Sequence, residues 1–156
     1  MKLKEYLNEI ESFIKDYLES NHMDMIVLGL SGGVDSSLVA ALTRRAVGKD
    51  RLMCIMMPIE SHPSDLEDAI EVAKALDVNY IVVDGSDTFK AAKEAFLKTG
   101  VEFDKATLSN LKVRIRMSYL FAYAQKSHGL VIGTDNMDER YTGYFTKYGD
   151  GAADLL

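Results

Sequence analysis

The chain of 156 residues is sized for one domain around one core rather than two. With 47% apolar and 27% charged residues it has ordinary globular usage, which excludes disorder over most of its length. Its net charge of −6 argues against a broad basic surface for nucleic-acid backbone, while leaving room for a local basic pocket that takes a phosphorylated small molecule.

In chain order, Leu3, Leu7, Ile10, Ile14 and Tyr17 fall at helical spacing with Lys and Glu between them, which predicts an amphipathic helix over 3–18. The opening Met1-Lys2-Leu3-Lys4-Glu5 lacks the apolar region of a signal peptide. No apolar run approaches the ~20 residues that span a bilayer, so a soluble cytoplasmic protein without membrane partners is expected. Residues 25–30 form a short apolar run ending at glycines and read as a buried strand. A helix over about 35–47 ends near Gly48. A second buried strand over 51–57 is closed by Pro58 and contains Cys54, the single cysteine. One cysteine cannot build an intrachain disulfide framework, and without a cationic neighbour Cys54 reads as a small buried hydrophobe.

Ser64-Asp65-Leu66-Glu67 opens the next helix as a capping box with Ser64 at its N-cap. A third strand is predicted over 80–83, then helices over 86–98 and 105–127 separated by Gly100, then a fourth strand over 130–132. The long helix carries Leu111, Ile115, Met117, Tyr119, Leu120 and Phe121 on more than one face, which predicts burial on several sides and suggests a partner subunit. His22, His62 and His128 fall at predicted turns and helix ends without ligand spacing, and no metal is assigned to them. Continuous apolar strands alternating with helices predict an α/β fold, a doubly wound, Rossmann-like parallel sheet with helices on both faces. Ligands of such sheets sit at the carboxyl ends of the strands. The last stretch, 134–156, is rich in Gly, Asp and Tyr without a clear period, and so is expected to be a functional or disordered loop.

The first strand runs into Leu28-Gly29-Leu30-Ser31-Gly32-Gly33-Val34-Asp35-Ser36-Ser37. Consecutive glycines let the backbone turn sharply with its N–H groups close to a ligand, and the following helix N-terminus adds partial positive charge. Ser31, Ser36 and Ser37 add hydroxyl donors, making an anion site suited to phosphate. A Walker A loop requires Lys where this loop has Val34-Asp35, and Gly29, Gly32 and Gly33 miss the dinucleotide spacing. An aspartate in a phosphate cradle needs a divalent cation between it and the ligand, so Asp35 is a candidate Mg²⁺ ligand. The plain alternative is a helix cap whose glycines serve only the turn. After the fourth strand, Asp135, Asp138 and Glu139 offer a second carboxylate for the same ion, and Lys147 stands among aromatics where a phosphate or carboxylate of a second substrate fits. The plain alternative there is a solvated polar loop.

The Ser31-Gly32-Gly33-Val34-Asp35-Ser36-Ser37 string resembles the pyrophosphate loop of the ATP pyrophosphatases, the adenine nucleotide alpha hydrolase-like superfamily. NAD synthetases, GMP synthetases, asparagine synthetases and tRNA-thiolating enzymes share it. The stretch Gly133-Thr134-Asp135, then Glu139, then Gly143-Tyr144-Phe145-Thr146-Lys147-Tyr148-Gly149-Asp150-Gly151 looks like the hallmark of NAD synthetases, for about twenty residues without a gap; GMP synthetases differ here. Lys112-Val113-Arg114-Ile115-Arg116-Met117 resembles a helix of the same family.

The resemblance implies ATP bound by Gly29, Leu30, Ser31, Gly32, Gly33, Val34, Asp35, Ser36 and Thr134, and Mg²⁺ held by Asp35 and Glu139. It implies nicotinic acid adenine dinucleotide (deamido-NAD) bound by Arg114, Lys147 and Asp154. Arg114 lies among apolar neighbours where an unpaired guanidinium is costly, whereas Arg116 reads as a structural or interface charge. The implied reaction is ATP-dependent amidation of deamido-NAD by ammonia through an acyl-adenylate, with no protein nucleophile. Nothing before the first helix resembles a glutaminase, so free ammonia or a separate glutaminase is the expected nitrogen source. A homodimer that completes the deamido-NAD site is also implied. Family members continue beyond the Gly-Asp-Gly segment, so 1–156 is expected to be a single ATP-pyrophosphatase domain, C-terminally incomplete. The rival readings are a non-catalytic nucleotide-binding module and a tRNA-thiolating enzyme; the latter's basic surface and cysteine chemistry are lacking.

Overall fold

The computed structural model describes residues 2–156. It opens with α1 (Leu3–Ser20), β1 (Met25–Gly29) and α2 (Val34–Val47); a 3-10 turn (Lys49–Arg51) leads to β2 (Leu52–Met56). Then follow α3 (Pro63–Ala75), β3 (Asn79–Val82), α4 (Ser86–Leu97), α5 (Lys105–Lys126), β4 (Gly129–Ile132), the short α6 (Met137–Thr142) and a last 3-10 turn (Asp150–Ala152).

The four strands pair in the order β3-β2-β1-β4, all parallel, with Val27 beside Met53 on one side and Val131 on the other. Alternate side chains of each strand point to opposite faces, and both faces are covered. Ile26, Leu28, Leu52, Cys54, Met56, Leu130 and Ile132 pack toward α1, α2 and α3. Val27, Ile55 and Val131 pack toward Met117, Leu120 and Ala124 of α5. The expected doubly wound architecture is what forms. Because β2 lies on one side of β1 and β4 on the other, the chain reverses direction across the sheet between β1 and β4, which opens a crevice at their carboxyl ends.

One expectation is corrected. The N-cap of α3 is His62 rather than Ser64: Pro63 takes the first helical position, and the Ser64 amide donates to His62 Nδ1 at 3.3 Å. The apolar faces of α5 are met largely within the chain, by the sheet and by a second cluster in which Ile115 joins Ile59 and Phe89. That helix therefore needs no partner subunit to explain its composition. The stretch after β4 is ordered by local caps. Asn136 and Glu139 form a capping box for α6, Gly143 ends it in the left-handed region, and Leu155 bridges in parallel to Ile132. No helix among the described residues is long and apolar enough to cross a membrane.

Cys54 is fully buried between the sheet and α2–α3, and desolvation pushes its thiol up to about 12. A thiol reagent such as iodoacetamide is expected to leave the native chain unlabelled at pH 8 and to label it fully once denaturant is added. Rapid labelling of the native state would contradict this packing.

Candidate functional site

β1 ends at Gly29, and the Leu30 amide still donates to Ile55 O (3.0 Å), so the loop leaves the sheet only at Ser31. Gly32 turns the chain at φ +85°, a conformation that side chains oppose, and a Cβ there would lie 2.9 Å from the Ala69 amide nitrogen. The glycine loop is therefore pressed against the backbone of α3. Gly33 caps α2 in extended conformation, and the first-turn N–H groups of that helix have no intrahelical acceptors.

The loop's hydroxyls act mostly on the loop itself. Ser36, 4% exposed, donates from Oγ to Gly33 O at 3.1 Å and accepts from the Ser31 amide at 3.2 Å. Ser37 Oγ also donates to Gly33 O, at 2.7 Å. Ser36 and Ser37 thus hold the turn in shape; Ser31 is the most exposed of the three, its Oγ accepting the Gly33 amide at 3.3 Å and lying 3.0 Å from Ser36 Oγ.

Across the crevice, β4 leads through Thr134 to α6. Glu139 uses Oε2 to accept the Asn136 amide at 3.2 Å, while its own amide donates to Asn136 Oδ1 at 2.9 Å. This capping box fixes Glu139 against the glycine loop. A polar cavity of about 180 Å³ is lined by Ser31, Gly33, Asp35, Ser36, Thr134 and Glu139. The two loops expected to cooperate therefore meet at one rim, with Asp35 and Glu139 lining one space. Sharing Ser31 and Thr134 with it is a second, largely apolar cavity of about 270 Å³, walled by Met57, Pro58, Leu66, Val113, Arg116, Met117 and Leu120.

Of the three residues expected to hold a second substrate, two come together and one does not. Arg114 is exposed and donates from Nε to Lys147 O at 3.0 Å. The segment carrying Lys147 is seated on α5: Thr146 Oγ1 donates to Asn110 Oδ1 at 2.8 Å, and a Cβ on Gly149 would lie 2.6 Å from Val113 Cγ1. Asp154 sits at the sheet edge, where Oδ2 accepts the Val131 amide at 2.8 Å and its own amide donates to Val131 O at 3.0 Å. None of the three lines either cavity. The apolar surroundings expected for Arg114 belong to Arg116, which is half-buried and walls the larger cavity. That signal was present in the sequence, because Val113, Arg116, Met117 and Leu120 share one helical face and Arg114 lies off it.

A family model described as NAD synthase matches residues 6–156, a span that holds the glycine loop, all four strands and both carboxylates. The chain belongs to the NAD synthase family. It is 42% identical over 154 residues to the NH(3)-dependent NAD(+) synthetase of Methanocaldococcus jannaschii, covering 98% of this chain and 60% of that protein. In structure it is similar to the NH3-dependent NAD synthetase from Campylobacter jejuni, solved in complex with the nitrate ion. The TM-score is 0.90 at 34% identity over 99% of this chain and 66% of the other. It is also similar to a glutamine-dependent NAD+ synthetase from Acinetobacter baumannii in complex with ADP. There the TM-score is 0.89 at 30% identity, over 94% of this chain and 28% of the other. The chain thus spans about 60% of the length of the curated NAD synthetases it matches.

Proposed function

We propose that this NAD synthase-family chain binds ATP across the paired cavities and carries the ATP-cleaving half of deamido-NAD amidation. The observation that carries the reading is that Asp35 and Glu139 line one polar cavity, which adjoins an apolar one. The apolar cavity suits adenine and its ribose, and the polar one suits the phosphates. That the A. baumannii relative was solved in complex with ADP supports an adenine nucleotide as the ligand.

Mg²⁺ fits the donor set. No group of three or more His, Cys, Asp or Glu among the described residues is arranged as a metal cage. Mg²⁺ is commonly held by one or two carboxylates together with substrate phosphates, which is what Asp35 and Glu139 offer. When bound, the ion neutralises phosphate charge and orients the triphosphate. The chain's own part is to supply amides from the glycine loop and the positive end of α2 for a leaving pyrophosphate.

In the proposed reaction a nicotinate carboxylate oxygen of deamido-NAD bonds to the α-phosphorus of ATP while the bridge to the β-phosphate breaks, releasing pyrophosphate. Ammonia then attacks the acyl carbon; AMP leaves, a proton is lost, and NAD⁺ forms. Arg114, Lys147 and Asp154 are the proposed deamido-NAD contacts, a second copy of the chain is proposed to complete that site, and a cytoplasmic setting is proposed. Relatives named as NH(3)-dependent favour free ammonia as the nitrogen donor.

The test measures Mg²⁺–ATP and deamido-NAD binding to this chain and AMP release with ammonium. NAD⁺ and AMP are expected in equal amounts and only with all three substrates present. ATP binding without AMP release would make the chain a nucleotide-binding module. Absence of Mg²⁺–ATP binding would remove the reading altogether.

A further inference from the structure

We propose that Arg116 is the positioning residue for the base end of the nucleotide site, acting through the segment between β2 and α3 that it clasps. The proposal rests on reading the larger cavity as the place of the ATP base. Met57, Pro58 and Ser61 supply one wall of that cavity. They belong to an excursion in which Ile59, 1% exposed, is anchored against Phe89 and Ile115, and Glu60 takes a left-handed φ of 49°. A left-handed backbone at a residue other than glycine or asparagine is disfavoured, so the excursion persists only where its surroundings hold it.

Two side chains one turn apart on α5 provide that hold. Lys112 Nζ lies 2.9 Å from Glu60 Oε2 on the outside of the loop and 4.8 Å from the centroid of the Phe89 ring. Arg116 works from the cavity side: Nε donates to Met57 O at 3.0 Å, and a terminal nitrogen donates to Ser61 Oγ at 3.4 Å. Only a forked, always charged donor reaches two acceptors of one loop in this way. The residues that Arg116 holds, Met57 and Ser61, are themselves cavity wall, and neither lines the polar cavity. Loosening them changes the space offered to a base while leaving the carboxylates and glycine loop in place.

The two ends of the site can therefore be separated with two probes, Mg²⁺–ATP and Mg²⁺–tripolyphosphate, titrated by calorimetry into the wild type and Arg116→Met. ATP affinity is expected to fall about tenfold, the scale of a lost charged hydrogen bond, while tripolyphosphate affinity stays unchanged. Arg116→Lys, which keeps the charge but only one bond, is expected to fall between, and it decides by the same split if Arg116→Met does not fold. Equal losses for both probes, as from general destabilisation, would overturn the assignment, and so would no loss for either. A wild type that binds tripolyphosphate as tightly as ATP would remove the nucleotide reading of the larger cavity and this proposal with it. A wild type that prefers ATP, with variants that share the preference, leaves the reading intact and removes only the role of Arg116.

Discussion

Asp35→Ala is expected to abolish Mg²⁺-dependent ATP binding and leave thermal unfolding almost where it was. Asp35 is exposed in the first turn of α2, outside the core. An acidic residue there interacts favourably with the helix dipole, so its loss costs stability by about 0.3–1 kcal/mol. Its loss from the site is larger. Asp35, just after the glycine loop, and Glu139, across the crevice, line one space meant for a polyanion, and two acidic residues there repel the ligand unless a cation joins them. Removing one of two charged ligands is worth about 3 kcal/mol or more, which is about a hundredfold in affinity. Sharing one ion also makes the two carboxylates non-additive: Glu139→Gln on top of Asp35→Ala is expected to add little, although it is severe alone. Glu139→Gln retains an acceptor for the Asn136 amide, so α6 stays capped. Titration with ATP at fixed and zero Mg²⁺ reads all four combinations. An Asp35→Ala protein with undiminished magnesium dependence removes Asp35 from the metal site, and strict additivity separates the two carboxylates.

What could be read in the sequence follows the range of the forces involved. The buried strands were legible because burial on both faces leaves unbroken apolar runs, and α2 was legible up to Gly48 because a helix end needs a residue with free φ. The glycine loop declared itself through residue types that have few other uses in series. Features decided by one hydrogen bond or one helical step were hidden. His62 displaced Ser64 as the cap of α3 because Pro63 fixes the first helical position, a signal only two residues away. The six residues of α6 are too few to show a period, so their order rests on local caps, the Asn136–Glu139 box at one end and Gly143 at the other. Arg114 and Arg116 have the same local composition, and only the helical spacing of Arg116 with Val113, Met117 and Leu120 separates the inward one from the other. The bond from the Val131 amide to Asp154 was hidden too, because nothing local shows that the chain returns to pair with β4.

Gly32→Ala is expected to be the most damaging single-methyl change in the glycine loop, and Gly33→Ala, one residue on, to be nearly harmless. At Gly32 the backbone sits at φ +85°, which for alanine costs roughly 1–2 kcal/mol. The added Cβ would also lie 2.9 Å from Ala69 N, 3.0 Å from Asp65 O and 3.1 Å from Asp68 Cβ. Two of those neighbours are helix backbone, which has no rotamer to change, so α3 or the loop must shift, at about 1–3 kcal/mol. Together the penalties are about 2–5 kcal/mol, lowering the melting temperature by roughly 5–15 °C in a domain of this size. At Gly33 the φ is −71° and the new Cβ would meet only Ser31 Oγ, at 3.4 Å, an ordinary contact. There only the preference of an N-cap for glycine over alanine is lost, about 1 kcal/mol or less. The functional consequence follows from position. Asp65 and Ala69 wall the larger cavity while Gly33 and Ser31 line the polar one, so displacing either side at Gly32 distorts both ends of the site. Gly32→Ala is therefore expected to weaken ATP and tripolyphosphate together, unlike the Arg116 variants. Equal melting temperatures for the two alanine variants would show that the loop does not press on α3, and with that the geometry that unites the cavities would be lost.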